Sequence, residues 1–105
     1  MIGTNEILLK IKSSVIAKEP NASIILFGSF ARNEQKKDSD IDILILIDKE
    51  NLSNIQKREI SHSLYDIEFE TGQIISPIIF TRNDWENRHK ITPFYENVKT
   101  EGKYL

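Results

Sequence analysis

The seven residues Ile41–Ile47, IDILILI, constrain the fold of this chain more than any other stretch. A strand sends successive side chains to opposite faces. This run therefore carries apolar groups on both, and a sheet built around it needs cover on both sides over most of its length. At its mouth stand Asp40 and Asp42. Two residues apart, they project together while Ile41 faces away, with Cα atoms roughly 6.6–7 Å apart. Carboxylates aimed into one space repel, which raises a pKa or calls for a cation. A divalent metal such as Mg²⁺, which takes oxygen ligands from one or two carboxylates, substrate phosphates and water, would remove the conflict. Asp-x-Asp also occurs at loop–strand junctions as a turn-capping or solubilising pair, so the spacing alone leaves both readings open.

The rest of the chain supplies the partners that such a strand requires. Ile7, Leu8, Ile11, Val15 and Ile16 recur at helical spacing over residues 5–17, and Glu19-Pro20-Asn21 ends that helix. SIILF at Ser23–Phe27 reads as a strand punctuated by Gly28-Ser29. A short helix is predicted over residues 30–32, followed by a polar loop over residues 33–39. The next helix, over residues 51–70, carries the capping-box pattern Ser53-x-x-Gln56, an apolar stripe of Ile60, Leu64 and Ile67, and Gly72 as its terminator. QIISPIIF at residues 73–80 reads as a third strand, and Pro77 assigns it to an edge or a bulge. Asn83 is the predicted cap of a short helix carrying Trp85, and Thr92-Pro93 starts the last helix. Trp85, Phe94, Tyr95 and Tyr104 are assigned to packing. His62 and His89 have no second ligand at a metal-binding spacing.

The order α-β-(short α)-β-α-β-α gives an α/β (α+β) fold with a small mixed sheet of three to four strands flanked by helices. The 105 residues suit one domain. With 14 basic and 16 acidic residues, the net charge of −2 argues against bulk duplex DNA as a partner. No cysteine is present, which excludes disulfides, thiolate catalysis and Cys-type zinc sites. The longest unbroken apolar run, residues 43–47, falls far short of the ~20 residues of a membrane span. No signal-peptide core opens the chain, and a cytoplasmic location is expected.

The Gly28-Ser29 pair adds to the aspartates. If the first two strands are antiparallel neighbours, the end of one lies beside the start of the other, and Gly-Ser shares one end of the sheet with Asp-x-Asp. Glycine admits a phosphate close to the backbone. Ser29 offers a hydroxyl and an N–H, and Arg32, Lys36 and Lys37 are cations within reach of phosphate oxygens.

Gly28-Ser29, a ten-residue spacer and Asp40-Ile41-Asp42, set between two apolar strands, resemble the nucleotidyltransferase fold of the DNA polymerase beta superfamily. More narrowly, GSFAR…DSDID resembles the minimal nucleotidyltransferases, prokaryotic proteins often paired as antitoxins with a HEPN-type partner. The resembling stretch covers residues 26–46. The resemblance implies that Gly28 and Ser29 bind the β- and γ-phosphates of a nucleoside triphosphate, with ATP the expected donor. It implies that Asp40 and Asp42 are the catalytic pair and ligate Mg²⁺, and that Arg32 fixes the loop or the triphosphate. An acceptor hydroxyl, on a partner protein, would then attack the α-phosphate and release pyrophosphate. Many members have glycine where this chain has Asn33, a residue that tolerates a left-handed backbone. Active members also place a third carboxylate on the following strand. Here that strand holds no acid, Ser76 stands at the equivalent position, and Glu68 and Glu70 belong to the preceding helix. Two functions therefore follow: an active transferase, or a protein-binding antitoxin module with weak or no transfer activity.

Overall fold

The computed structural model describes residues 3–105. Its elements run α1 (Thr4–Lys18), β1 (Ser23–Phe27), α2 (Gly28–Ala31), β2 (Ile41–Ile47), α3 (Asn54–Thr71), β3 (Ile75–Thr81), α4 (Arg82–Arg88), α5 (Pro93–Glu101) and β4 (Lys103–Tyr104). One four-stranded sheet has the order β3-β2-β1-β4. β1 is antiparallel to both β2 and β4, while β2 and β3 are parallel. The sheet is mixed, as the sequence predicts.

The alternation along β2 sorts the core into two layers. Ile41, Ile43, Ile45 and Ile47 point to the side covered by α1 and α3, where they meet Ile7, Ile11, Val15, Ile60, Leu64 and Ile67. Leu44 and Leu46 point the other way, into a smaller cluster with Ile25, Trp85, Tyr95 and Val98 from β1, α4 and α5. All the apolar residues of β2 are buried; only Asp42 is not. Trp85 is the hub of the second layer, with its ring edge-on to Phe94 and tilted against Tyr95.

The helix signals are local and hold. Ser53 Oγ accepts from the Gln56 N–H at 3.1 Å, and Gln56 Oε1 accepts from the Ser53 N–H at 2.9 Å. Gly72 ends α3 in the left-handed conformation, φ 75°. Thr92 caps α5 by accepting from the Tyr95 N–H, with Pro93 at the first position. Pro77 does lie on an edge strand, since β3 closes one side of the sheet.

Four expectations need correction. The cap of α4 is Thr81, whose hydroxyl accepts from the Asp84 N–H, so α4 starts at Arg82 and Asn83 lies inside it. The short helix after β1 starts at Gly28 rather than Phe30. A two-residue strand, β4, follows α5 and pairs with β1, with Ile25 opposite Tyr104. Tyr104 is not a packing residue: it is 72% exposed. Among the described residues no helix is long and apolar enough to cross a membrane.

Leu44 is completely buried at the centre of the sheet, whereas Phe69 is 95% exposed. Leu44→Ala is expected to lower unfolding free energy by about 2–5 kcal/mol, and Phe69→Ala by less than about 0.5 kcal/mol. Urea denaturation of both variants checks the contrast.

Candidate functional site

The site forms where the cover of the second layer runs out. β1 leaves the sheet at Phe27, which pairs with Asp42. Phe94 stands edge-on over Phe27 with ring centroids 5.2 Å apart, an apolar wall beside the carboxylate. By strand parity Asp42 lies on the same face as Leu44 and Leu46, and Asp40 precedes it on the approach to the strand. Asp40 is exposed and Asp42 half-buried.

Gly28 is required where it stands. Its φ is +73°, a conformation unfavourable for other residues. A Cβ built there would collide with Asp42 Oδ2 and lie 3.2 Å from the Asp42 Cγ. The backbone of the Gly-Ser turn and the second aspartate are thus in direct apposition. The turn continues through α2 to Arg32, whose N–H donates to the Gly28 carbonyl at 3.1 Å. Asn33 then takes the left-handed conformation at φ 59°, as its residue type allows. The Glu34 N–H donates to the Ser29 carbonyl at 2.9 Å and folds the loop back.

The third wall is β3. The parallel register sets Ser76 opposite Asp42. The Ser76 hydroxyl donates to Asp40 Oδ2 at 3.3 Å. Neither Glu68 nor Glu70 of the preceding helix joins the pair. Glu68 Oε2 accepts from the Ile75 N–H at 3.0 Å, and Glu70 pairs with Lys10 at 3.4 Å. Gln73 ties the two strand entrances together by donating to the Ser39 carbonyl at 2.8 Å. Among the described residues no group of three His, Cys, Asp or Glu side chains is arranged to hold a metal.

Charge in the site is only partly compensated. Burial, then the negative charge of Asp40, push the Asp42 carboxyl above the ordinary aspartate range, and Arg32 pulls it back in part. Arg32 itself is engaged: Nε donates to Glu34 Oε1 at 3.0 Å and Nη1 to Glu101 Oε2 at 3.1 Å. Glu101 carries no local sequence signal, because it lies at the far end of α5 and reaches Arg32 only through the fold. Lys36 and Lys37 are exposed on the loop, where the Lys36 N–H donates to Ser39 Oγ in a tight turn. The donor set around Asp40, Asp42 and Ser76 is all oxygen, with two carboxylates and one hydroxyl, and suits a hard divalent cation.

A model of the nucleotidyltransferase domain matches residues 8–101. Two curated relatives from Methanocaldococcus jannaschii each bear the name "Putative protein adenylyltransferase". The first is 38% identical over 71 residues, which is 66% of this chain and 69% of the relative. The second is 50% identical over 46 residues, and the matched stretch spans less than half of either protein. Among solved structures, a toxin–antitoxin with AMP-PNP superposes with a TM-score of 0.61 at 22% identity, over 97% of this chain and 72% of that one. A mutant of the MntA-HpeT toxin–antitoxin superposes with a TM-score of 0.58 at 20% identity, over 98% and 71%. The two superpositions show a shared fold.

A raised carboxyl pKa in the folded state means that the native protein holds its proton more tightly than the unfolded chain does. The ionised Asp42 therefore weakens the ligand-free protein at neutral pH, and that loss disappears as pH falls through the folded pKa towards the unfolded value. Asp42→Asn is expected to raise the melting temperature at pH 7, with the gain shrinking as pH falls to 4. Thermal melts across that range without added metal check it; a variant less stable than wild type at pH 7 contradicts it. Gly28→Ala is expected to destabilise, and to do so less in an Asp42→Ala background, which a double-mutant cycle reads directly.

Proposed function

The chain belongs to the nucleotidyltransferase domain family, and from that premise we propose that it moves a nucleoside monophosphate from a triphosphate to a hydroxyl acceptor. The apposition of Gly28 to Asp42, with Asp40 alongside, is the observation that carries this reading. Asp40 and Asp42 would hold Mg²⁺, whose positive charge, when bound, offsets charge on the attacking and leaving oxygens. The Gly28 backbone, with no Cβ between it and the carboxylates, lets the phosphates lie close to the turn. Ser29 supplies a hydroxyl and an N–H to the same oxygens, and Arg32 supplies a cation at the mouth. Ser76 holds Asp40 Oδ2 and so restricts how that carboxylate turns. The acceptor oxygen attacks the α-phosphate, and pyrophosphate leaves.

ATP is the favoured donor. The names of the relatives speak of adenylyl transfer to protein, and one structural neighbour is a toxin–antitoxin with AMP-PNP. A partner protein of the HEPN type, held in a toxin–antitoxin pair, is the favoured acceptor, and the chain is its antitoxin. One observation favours a second reading, in which the chain binds that partner with little or no transfer. The place opposite Asp42 on β3 is a serine, and the nearest glutamates are engaged elsewhere. A serine hydroxyl is a poor base at neutral pH.

Incubation with α-labelled ATP, Mg²⁺ and the protein encoded beside this chain separates the two. The transferase reading expects label on the partner, lost in Asp40→Asn and Asp42→Asn by at least about 100-fold. Calorimetry with ATP and Mg²⁺ supplies the binding arm, and no heat at millimolar ligand contradicts the nucleotide site. Co-purification of the partner with the double-Asn variant, without any labelling by wild type, favours the binding module.

A further inference from the structure

We infer that Glu101 is a positioning residue: with Glu34, it holds the Arg32 guanidinium at the mouth of the carboxylate pair, beside the Gly28–Ser29 turn. Glu34 is a neighbour in sequence, but Glu101 comes from the last residue of α5. Its place is set by rigid framework rather than by a loop. The Gly102 N–H donates to the Val98 carbonyl at 2.7 Å. A Cβ on Gly102 would collide with that carbonyl and lie 2.7 Å from Ile25 Cγ2, so the chain passes β1 with no room to spare. Lys103 and Tyr104 then pair with Leu26 and Ile25. One step back along this antiparallel register, Gly102, the cap of α5, comes level with Phe27 at the exit of β1, next to the Gly28 turn.

The bonds to Arg32 engage two of its three guanidinium nitrogens, at 3.0 Å on Nε and 3.1 Å on Nη1. Nη2 has no protein partner among the described residues. Both ion pairs are substantially exposed, with side-chain exposures of 42% and 66% for one and 42% and 37% for the other. Pairs of that kind add little to stability. Their effect is on orientation: a long side chain on a polar loop is narrowed to conformations that keep its charge near the site, so less freedom is lost when a ligand binds. The opposite role is also testable, because a carboxylate that merely competes for Arg32 would tighten ligand binding when removed.

The ligand in this inference rests on the proposed nucleotide site, whereas the hold on Arg32 does not. The experiment therefore has two arms, on wild type, Glu101→Gln, Glu101→Ala, Arg32→Ala and the Glu101→Ala/Arg32→Ala double variant, each first checked by its melting temperature. In the first arm, NMR of the arginine side chains reads rotation of the Arg32 guanidinium without nucleotide. Separate Nη signals are expected in wild type, partial retention in Glu101→Gln, and a single averaged signal in Glu101→Ala. In the second arm, calorimetry with Mg²⁺ and ATP is expected to show binding weakened about three- to five-fold by Glu101→Ala, less by Glu101→Gln, and no further weakening when Arg32 is already alanine. Unchanged Nη signals in Glu101→Ala, tighter ATP binding by that variant, or an equal loss in the Arg32→Ala background would each overturn the inference. Absence of ATP binding by wild type would overturn the nucleotide site and the ligand named here, while the first arm still decides whether Glu101 holds Arg32.

Discussion

Burial of β2 on both faces is the constraint on which the rest of the molecule depends. A strand with isoleucines on one side and leucines on the other forces two layers of cover, one from α1 and α3 and one from α4 and α5. The second layer is the thinner, built around Trp85, Tyr95 and Val98. It ends before the strand does, and Asp42 occupies the uncovered step. Charge is admitted to the central strand only there, where the hydrophobic layer stops and water or a ligand can reach the side chain.

Local sequence and stability pull in different directions at that step. Gly28 gives up a side chain and takes a left-handed conformation, so that backbone and carboxylate come together. Asp40 and Asp42 repel, and the burial of Asp42 adds to the cost. A sequence selected for stability alone would relieve both conditions with one amide. These departures from local rules are concentrated at one end of the sheet, at the candidate site, while the neighbouring elements are regular.

Much of this was legible in the sequence, and what was not has a physical reason. β1 and β2 are bounded by residues whose chemistry changes abruptly, Gly28 after Phe27 and Asp48 after Ile47, so their ends are readable. The Ser53–Gln56 cap and the Gly72 terminator depend on residues close in sequence and are readable for the same reason. Counting along β3 locates Ser76 opposite Asp42, because register in a parallel pair follows from where each strand starts. β4 has no such signal: two residues become a strand only by pairing with β1. The cap on α4 is not readable locally because Thr81 is both the last residue of β3 and the acceptor for the Asp84 N–H, and only the fold shows the two roles together. The Arg32–Glu101 pair joins residues that no window of sequence contains.

The antiparallel pairing of β1 with β4 also closes a far longer stretch of chain than the pairing of β1 with β2. Ile25 meets Tyr104 across most of the chain, whereas β1 and β2 are separated only by α2 and one loop. Closing the longer loop costs more chain entropy and slows the contact. The apposition of Gly28 and Asp42 rests on the short-range β1–β2 pair, while the tie from Glu101 to Arg32 rests on the long-range packing of the C-terminal elements on β1. The two halves of one small site are thus tied to the chain over different spans: the aspartate meets its glycine across one loop, and the arginine meets its carboxylate from 69 residues away.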